Sequence, residues 1–200
     1  MTGDYHLKVA VIDPQKKELY SQYVSFINRN LPADIAQKRN FNQTYKNSFV
    51  ENLDSSYVKY CLLSLAPLHS NEDAGLLNQI IKEGTEDQQK YFLFKYWKDN
   101  HPKTPQDNFE YYMKIVKLVD EQFYNTVGHG FQTDRGHIYL KHGKPNKTIA
   151  VDDEANTPPY EIWYYHYIST TNQSNVRFIF YSPQLNEEYA LLHSNCYGER

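Results

Sequence analysis

Along this chain the spacing of hydrophobic residues changes character, and each regime predicts a different kind of element. Tyr5, Leu7, Val9 and Val11 alternate with His6, Lys8 and Ala10, the two-residue period of a strand. Asp13-Pro14-Gln15-Lys16-Lys17 supplies a turn, and Tyr20, Val24 and Phe26 continue on alternate positions. Residues 1–30 therefore predict a β-hairpin. A lone hairpin is marginal in water, so this one reads as the last hairpin of an upstream all-β domain. Residues 31–47 are polar and rich in Asn and Gln, and read as a linker.

From residue 48 the period becomes helical. Phe49, Leu53, Tyr57, Tyr60, Cys61 and Leu65 approximate one helical face within Asn47–Ala66. Asp54 or Ser55 is placed to cap the second half, and Pro67 ends it. Ser70-Asn71-Glu72-Asp73 resembles a capping box ahead of the stripe Leu76, Leu77, Ile80 and Ile81, with Gly84 at its end. Thr85-Glu86-Asp87-Gln88 is a full capping box for a helix carrying Tyr91, Phe92, Phe94, Tyr96 and Trp97, stopped before Pro102. Thr104-Pro105 starts another, with Phe109, Tyr112, Met113, Val116, Val119 and Phe123 on one face, ending at Gly128. After Gly130 the period returns to two, predicting strands at His137–His142, Tyr160–Ile168, Val176–Tyr181 and Glu188–Ser194. Residues 48–200 thus form an α+β domain, a helical layer followed by an antiparallel four-stranded meander.

Both faces of the central strands are apolar or aromatic. Ile162, Tyr164 and Ile168 alternate with Trp163, Tyr165 and Tyr167, and Val176, Phe178 and Phe180 alternate with Arg177, Ile179 and Tyr181. A meander in water usually keeps one polar face. The second face therefore needs a cover: more of this chain, an upstream domain or a partner. Trp163, Tyr165, Tyr167 and Tyr181 are the candidate interface, expected to bury against a protein partner or a neighbouring domain.

Composition sharpens this picture. The 200 residues include 19 Tyr, 10 Phe and 2 Trp, so the core is expected to be aromatic, which reconciles a mean hydropathy of −0.76 with a chain that folds. The net charge of −3 argues against a protein built on nucleic-acid phosphates. The longest nearly apolar run, Tyr60–Leu68, is too short for a transmembrane segment. Two cysteines exclude a disulfide scaffold, and Cys61 reads as a buried free thiol.

The most specific stretch runs from Gly128 to Asn146. Gly130, Thr133, Asp134, Arg135, Gly136, Ile138, Tyr139, Leu140, Gly143 and Pro145 all match the signature of the GWxTD domain, which the chain resembles over about residues 49–199. Phe131 stands where that family has Trp, and Asn146 where it usually has Asp. Pro159–Tyr165, His193-Ser194-Asn195 and the aromatic helix Tyr91–Asp99 also look like family landmarks. The resemblance implies a C-terminal domain of an exported protein, periplasmic or secreted, of the kind typical of Bacteroidetes and often placed behind a β-sandwich-like domain. It implies no reaction and no catalytic residues.

The signature can be read physically in two ways. Thr133 and Asp134 suit a turn that accepts backbone N–H groups, and Gly130 and Gly136 allow close backbone approach. Arg135 is a fork of donors for a carboxylate such as Asp134, Glu161 or Glu199. One reading is a structural corner between helices and sheet, with Phe131 as a core anchor. The other is an anion or peptide-carboxylate site on Arg135. Catalytic constellations are weak: His193 and Ser194 are strand neighbours pointing to opposite faces, and no nucleophile elbow, zinc helix or phosphate loop is present. His137 and His142, five apart on the expected strand, face opposite ways, and no metal or cofactor is expected. The preferred function is a non-enzymatic binding or scaffolding module of the cell envelope. A hydrolase or transferase on envelope glycan or peptide, with Asp134, Arg135 and Glu161 in a cleft, is the alternative. A solute-binding domain using Arg135 is a third.

Overall fold

The computed structural model describes residues 3–15, 18–28, 45–69, 71–124, 128–155, 157–182 and 189–199. Most of the expected linker lies outside these residues, as do Ser70 and most of the turn before the last strand, while the long helix expected to run to Gly128 ends at Gln122. The N-terminal hairpin is present. Strand β1 (Gly3–Ile12) pairs antiparallel with β2 (Glu18–Asn28), with Leu7 opposite Val24 and Val11 opposite Tyr20.

Four helices follow, each begun where local chemistry allows. Helix α1 (Ser55–Ser64) is capped by Asp54, which accepts from the Ser56 amide at 2.9 Å. It starts later than the apolar spacing suggests, because residues 45–52 form turns that bury Tyr45 and Val50 instead. Helix α2 (Asn71–Glu83) ends at Gly84. Helix α3 (Glu86–Asn100) carries the full capping box: Gln88 donates its amide to Thr85, while its side chain accepts from the Thr85 amide at 2.8 Å. Helix α4 (Pro105–Gln122) begins on Pro105, whose missing N–H has no helical role at that position. Val58, Leu62, Leu77, Leu93, Val116 and Val119 from these four helices are buried to 1% exposure or less. Each contributes about 1.5–3 kcal/mol relative to an exposed side chain. Aromatic rings fill the remaining space, Trp97 lying 5.3 Å from Tyr112 and 6.0 Å from Phe109.

The segment expected as the first strand is a helix. Helix α5 (Asp134–His142) follows a 3-10 turn over Gly130–Gln132. Thr133 caps it by accepting from the Gly136 amide at 3.1 Å, and Gly143, at φ 80°, stops it. Nine residues are too few for the hydrophobic period to separate helix from strand; the caps decide it. His137 and His142 are accordingly helical, not strand residues.

The four-stranded meander is nevertheless there, because the first strand lies further on. It runs β3 (Lys147–Val151), β4 (Tyr160–Ile168), β5 (Gln173–Tyr181) and β6 (Ala190–Ser194), antiparallel and in sequence order. Strand β3 is an edge strand of only five residues in which Ile149, Ala150 and Val151 run consecutively, so it shows no alternation despite its strand-favouring Thr148, Ile149 and Val151. The register sets Trp163 opposite Phe178, Glu161 opposite Phe180 and Tyr160 opposite Tyr181. Trp163 and Tyr165 therefore share a face with Val176, Phe178 and Phe180, not with Tyr181. That face is buried under the chain's own helices: Phe123 packs 5.6 Å from Trp163, and His142 of α5 packs 5.6 Å from Phe178. The other face presents Ile149, Ile162 and Ile179 in one cross-strand row, all half-buried.

Candidate functional site

The signature residues meet at the corner where α4, α5 and the sheet join. Asp120, in the last turn of α4, opens it. One oxygen of its carboxylate accepts from the Gly130 amide at 2.5 Å; the other accepts from the Tyr60 hydroxyl at 3.1 Å and lies 3.3 Å from His129 Nδ1. This fixes the start of the 3-10 turn. Phe131 is 1% exposed, stacked on His129 at 4.8 Å and set edge-on to Tyr60 at 5.3 Å. A phenylalanine thus fills the place of the family tryptophan. Thr133 donates its hydroxyl to the Gly130 carbonyl at 2.7 Å while capping α5. Gly136 allows the closest approach of all, since a Cβ there would stand 2.1 Å from the Gly130 oxygen.

Asp134 and Arg135 point toward the sheet. The Asp134 carboxylate, though exposed, accepts from the Leu191 amide of β6 at 2.6 Å. Arg135 donates from Nη1 to Glu161 Oε1 at 3.2 Å, with both side chains under one-fifth exposed. Its guanidinium lies between two rings, 5.2 Å from the Phe123 centroid and 4.1 Å from that of Tyr189. The other Glu161 oxygen accepts from Trp163 Nε1 at 3.0 Å. Of the three carboxylates open to Arg135 from sequence, Glu161 is the partner to which it donates. The other two serve the same corner differently: Asp134 holds β6, and Glu199 holds the C-terminal segment.

Glu199 forms an ion pair with Lys141 and lies 3.4 Å from His142 Nε2. Burial pushes its carboxyl upward, but hydrogen bonds and charge from His142 and Lys141 outweigh this and hold it at about 2. His137, half-buried on the same helix, is pushed down by burial. Asn146 ties the start of β3 to β4, its Oδ1 accepting from the His166 amide at 2.7 Å.

Gly130, Phe131, Thr133, Asp134, Arg135, Gly136 and Glu161 are thus brought together, and the candidate-interface residue Trp163 joins them. Trp163 and Tyr165 are 2% and 3% exposed, so they form no free face. The expectation of an open patch through Trp163, Tyr165, Tyr167 and Tyr181 is corrected on that point. Tyr165 donates to the Gly143 carbonyl at 2.8 Å. Tyr167 is exposed and donates to Asn172, and Tyr181 lies half-buried on the opposite face. Sequence reading missed Asp120 and Tyr189. Asp120 carried a signal: it falls four residues after Val116 and seven after Met113, a carboxylate at the edge of an apolar stripe.

Chemically, the corner pairs its carboxylates with a guanidinium or with backbone amides. The Arg135 charge is compensated by Glu161, and the Asp134 carboxylate is occupied by a backbone amide. Among the described residues no group of three His, Cys, Asp or Glu side chains is spaced as metal ligands, and no helix is long and apolar enough to cross a membrane. Away from the corner, an apolar cavity of about 600 Å³ lies between α2 and α3, walled by Leu76, Ile80, Tyr91, Phe92 and Tyr96. His69 stacks on Tyr96 there at 5.1 Å. Lys95 and Asp99 on its rim pair with each other at 2.5 Å.

Residues 72–200 match the family model of the GWxTD domain. No curated protein and no solved structure matches the chain. The match takes in α2 to α5, the whole meander and the signature corner, and the chain belongs to the GWxTD family.

Proposed function

We propose that this GWxTD domain is a non-enzymatic binding or scaffolding module of an exported bacterial envelope protein, periplasmic or secreted. The observation that carries the reading is the corner itself. Asp134, Arg135, Glu161 and Trp163 answer one another or the backbone, at 2.6–3.2 Å, across α5, β4 and β6. A catalytic acid or base needs a group within hydrogen-bond reach of a substrate proton. Here the groups that the hydrolase reading requires are engaged in holding helix to sheet. The signature is then the frame, and ligand recognition belongs to the grooves and faces that the frame positions.

The test is incubation of the purified chain with isolated bacterial envelope fractions, followed by sedimentation and mass spectrometry of the supernatant. Saturable retention without released fragments is expected. Release of glycan or peptide fragments that stops in Glu161→Gln establishes the hydrolase reading instead. Absence of saturable retention overturns the binding reading.

A further inference from the structure

We infer that the cavity between α1 and the end of α4 is a binding site for a substituted ammonium group. The cavity measures about 420 Å³. Tyr57 and Tyr60 of α1 form one wall, their rings nearly parallel at 15° and 6.0 Å apart. Met113, Asp120 and Glu121 of α4 form the other, and Tyr124 closes the end just beyond the helix. Three tyrosine rings line the cavity with π-systems that attract a cation, the methionine thioether is polarizable, and two carboxylates add a negative field. The only basic side chain in the lining, Lys117, lies 3.9 Å from Glu121 with its side chain 77% exposed. The lining therefore carries two carboxylates against one ammonium.

These features select an organic cation over other ligands. Both oxygens of Asp120 already accept, from the Gly130 amide and from the Tyr60 hydroxyl. A dehydrated metal ion needs several oxygen ligands, and this lining offers two carboxylates, one of them already held by two donors. An anion meets net negative charge. An alkylated ammonium, with its charge spread over methyl or methylene groups, needs no directional acceptor and gains from ring faces and nearby carboxylates together. The exposure pattern agrees: Tyr57 is 39% and Tyr124 73% exposed, large rings held at the mouth rather than in the core. Because Asp120 also anchors Gly130, the site sits directly behind the signature corner. The inference goes beyond the binding-module reading, and its test does not depend on envelope attachment.

The experiment titrates the purified 200-residue chain with choline and, separately, with 3,3-dimethylbutan-1-ol, its uncharged isostere, by calorimetry or NMR. Choline is expected to bind saturably, and the isostere about 5- to 30-fold more weakly, which corresponds to roughly 1–2 kcal/mol of cation–π attraction. Tyr124→Leu keeps an apolar surface but removes the ring. It is expected to weaken choline at least about 5-fold while leaving the isostere nearly unchanged. Tyr124 is exposed, so an unchanged unfolding midpoint shows that the variant is folded. Glu121→Gln is expected to weaken choline and to flatten its salt dependence. Equal affinity for choline and the isostere reduces the site to an apolar cleft and overturns the inference. So does choline binding that ignores Tyr124→Leu, or no saturable choline binding at all.

Discussion

In the signature corner Phe131 and Gly136 are buried and Arg135 is enclosed by two rings and a carboxylate, while along the hairpin Leu7, Val9, Val11 and Tyr20 stay 53–62% exposed. Both regions are patterned. The hairpin places Tyr5, Leu7, Val9 and Val11 on alternate positions of β1, and its cross-strand pairs Leu7–Val24 and Val11–Tyr20 are in register. What differs is the number of elements that meet. The corner closes three layers on one another, so the side chains of Asp120, Asp134, Arg135 and Glu161 find internal partners. The hairpin has two strands, and its Lys8–Glu18 pair at 2.6 Å is exposed. Alternation alone makes a surface; burial needs a second layer.

The contrast can be broken most forcibly at Gly136. Gly136→Ala puts a methyl group 2.1 Å from a carbonyl oxygen. We expect a loss of roughly 3 kcal/mol, which lowers the unfolding midpoint by about 6–12 °C in a domain of this size. A calorimetric midpoint within a degree of wild type would show that the corner opens freely.

Arg135→Ala comes next, at about 2–3 kcal/mol, since it leaves Glu161 with an uncompensated charge in a mostly enclosed site. Glu161→Gln should cost less, because Gln keeps one acceptor for Arg135 or for Trp163 Nε1, its NH2 then facing the other donor, while Arg135 keeps its contacts with the Phe123 and Tyr189 rings. If urea unfolding gives equal losses for the two variants, the pair is not what holds the layers.

A smaller effect follows from Glu199. Its folded carboxyl sits at about 2, below its unfolded value. The stability it contributes is therefore fully present above about pH 4.5 and is lost as pH falls toward 2. Unfolding midpoints measured from pH 5 down to pH 2 should fall less steeply in Glu199→Gln than in wild type. Smallest of all is Val9→Thr in β1, expected to change stability by less than about 0.5 kcal/mol. A larger loss in chemical denaturation would mean that the hairpin face is covered in solution, and the contrast drawn here would collapse.

Sequence alone was a good guide where an element carries its own boundary chemistry. The Thr85–Gln88 box and the Thr104-Pro105 start are local, and α3 and α4 appear where they predict. Between those caps, apolar residues recur over several turns, which leaves little ambiguity. Helix α5 is short, and its Ile138 and Leu140 mimic strand alternation while both are buried. Strand β3 is shorter still, and its consecutive Ile149, Ala150 and Val151 show no alternation. The sheet faces were misassigned because alternation gives the two faces of one strand but not which face of its neighbour it joins. That is fixed by register, set here through the β4–β5 turn with Asn172 at φ 54°. At the corner, the carboxylates open to Arg135 were legible, and Glu161 was among them. The bonds from Asp134 to Leu191 and from Asp120 to Gly130 were not, since each joins a side chain to a distant backbone amide with no sequence mark.

The bond from Asp134 to the Leu191 amide also bears on solubility. Strand β6 ends the meander, and a terminal strand with open amides is a template on which another chain can grow. Here a carboxylate from α5 already occupies one of those amides and sets a negative charge beside it. At the opposite margin β3 is only five residues long and begins on Lys147. The signature aspartate therefore helps guard one border of the sheet against edge-to-edge aggregation, and its loss should be visible as fibrillar or amorphous self-association.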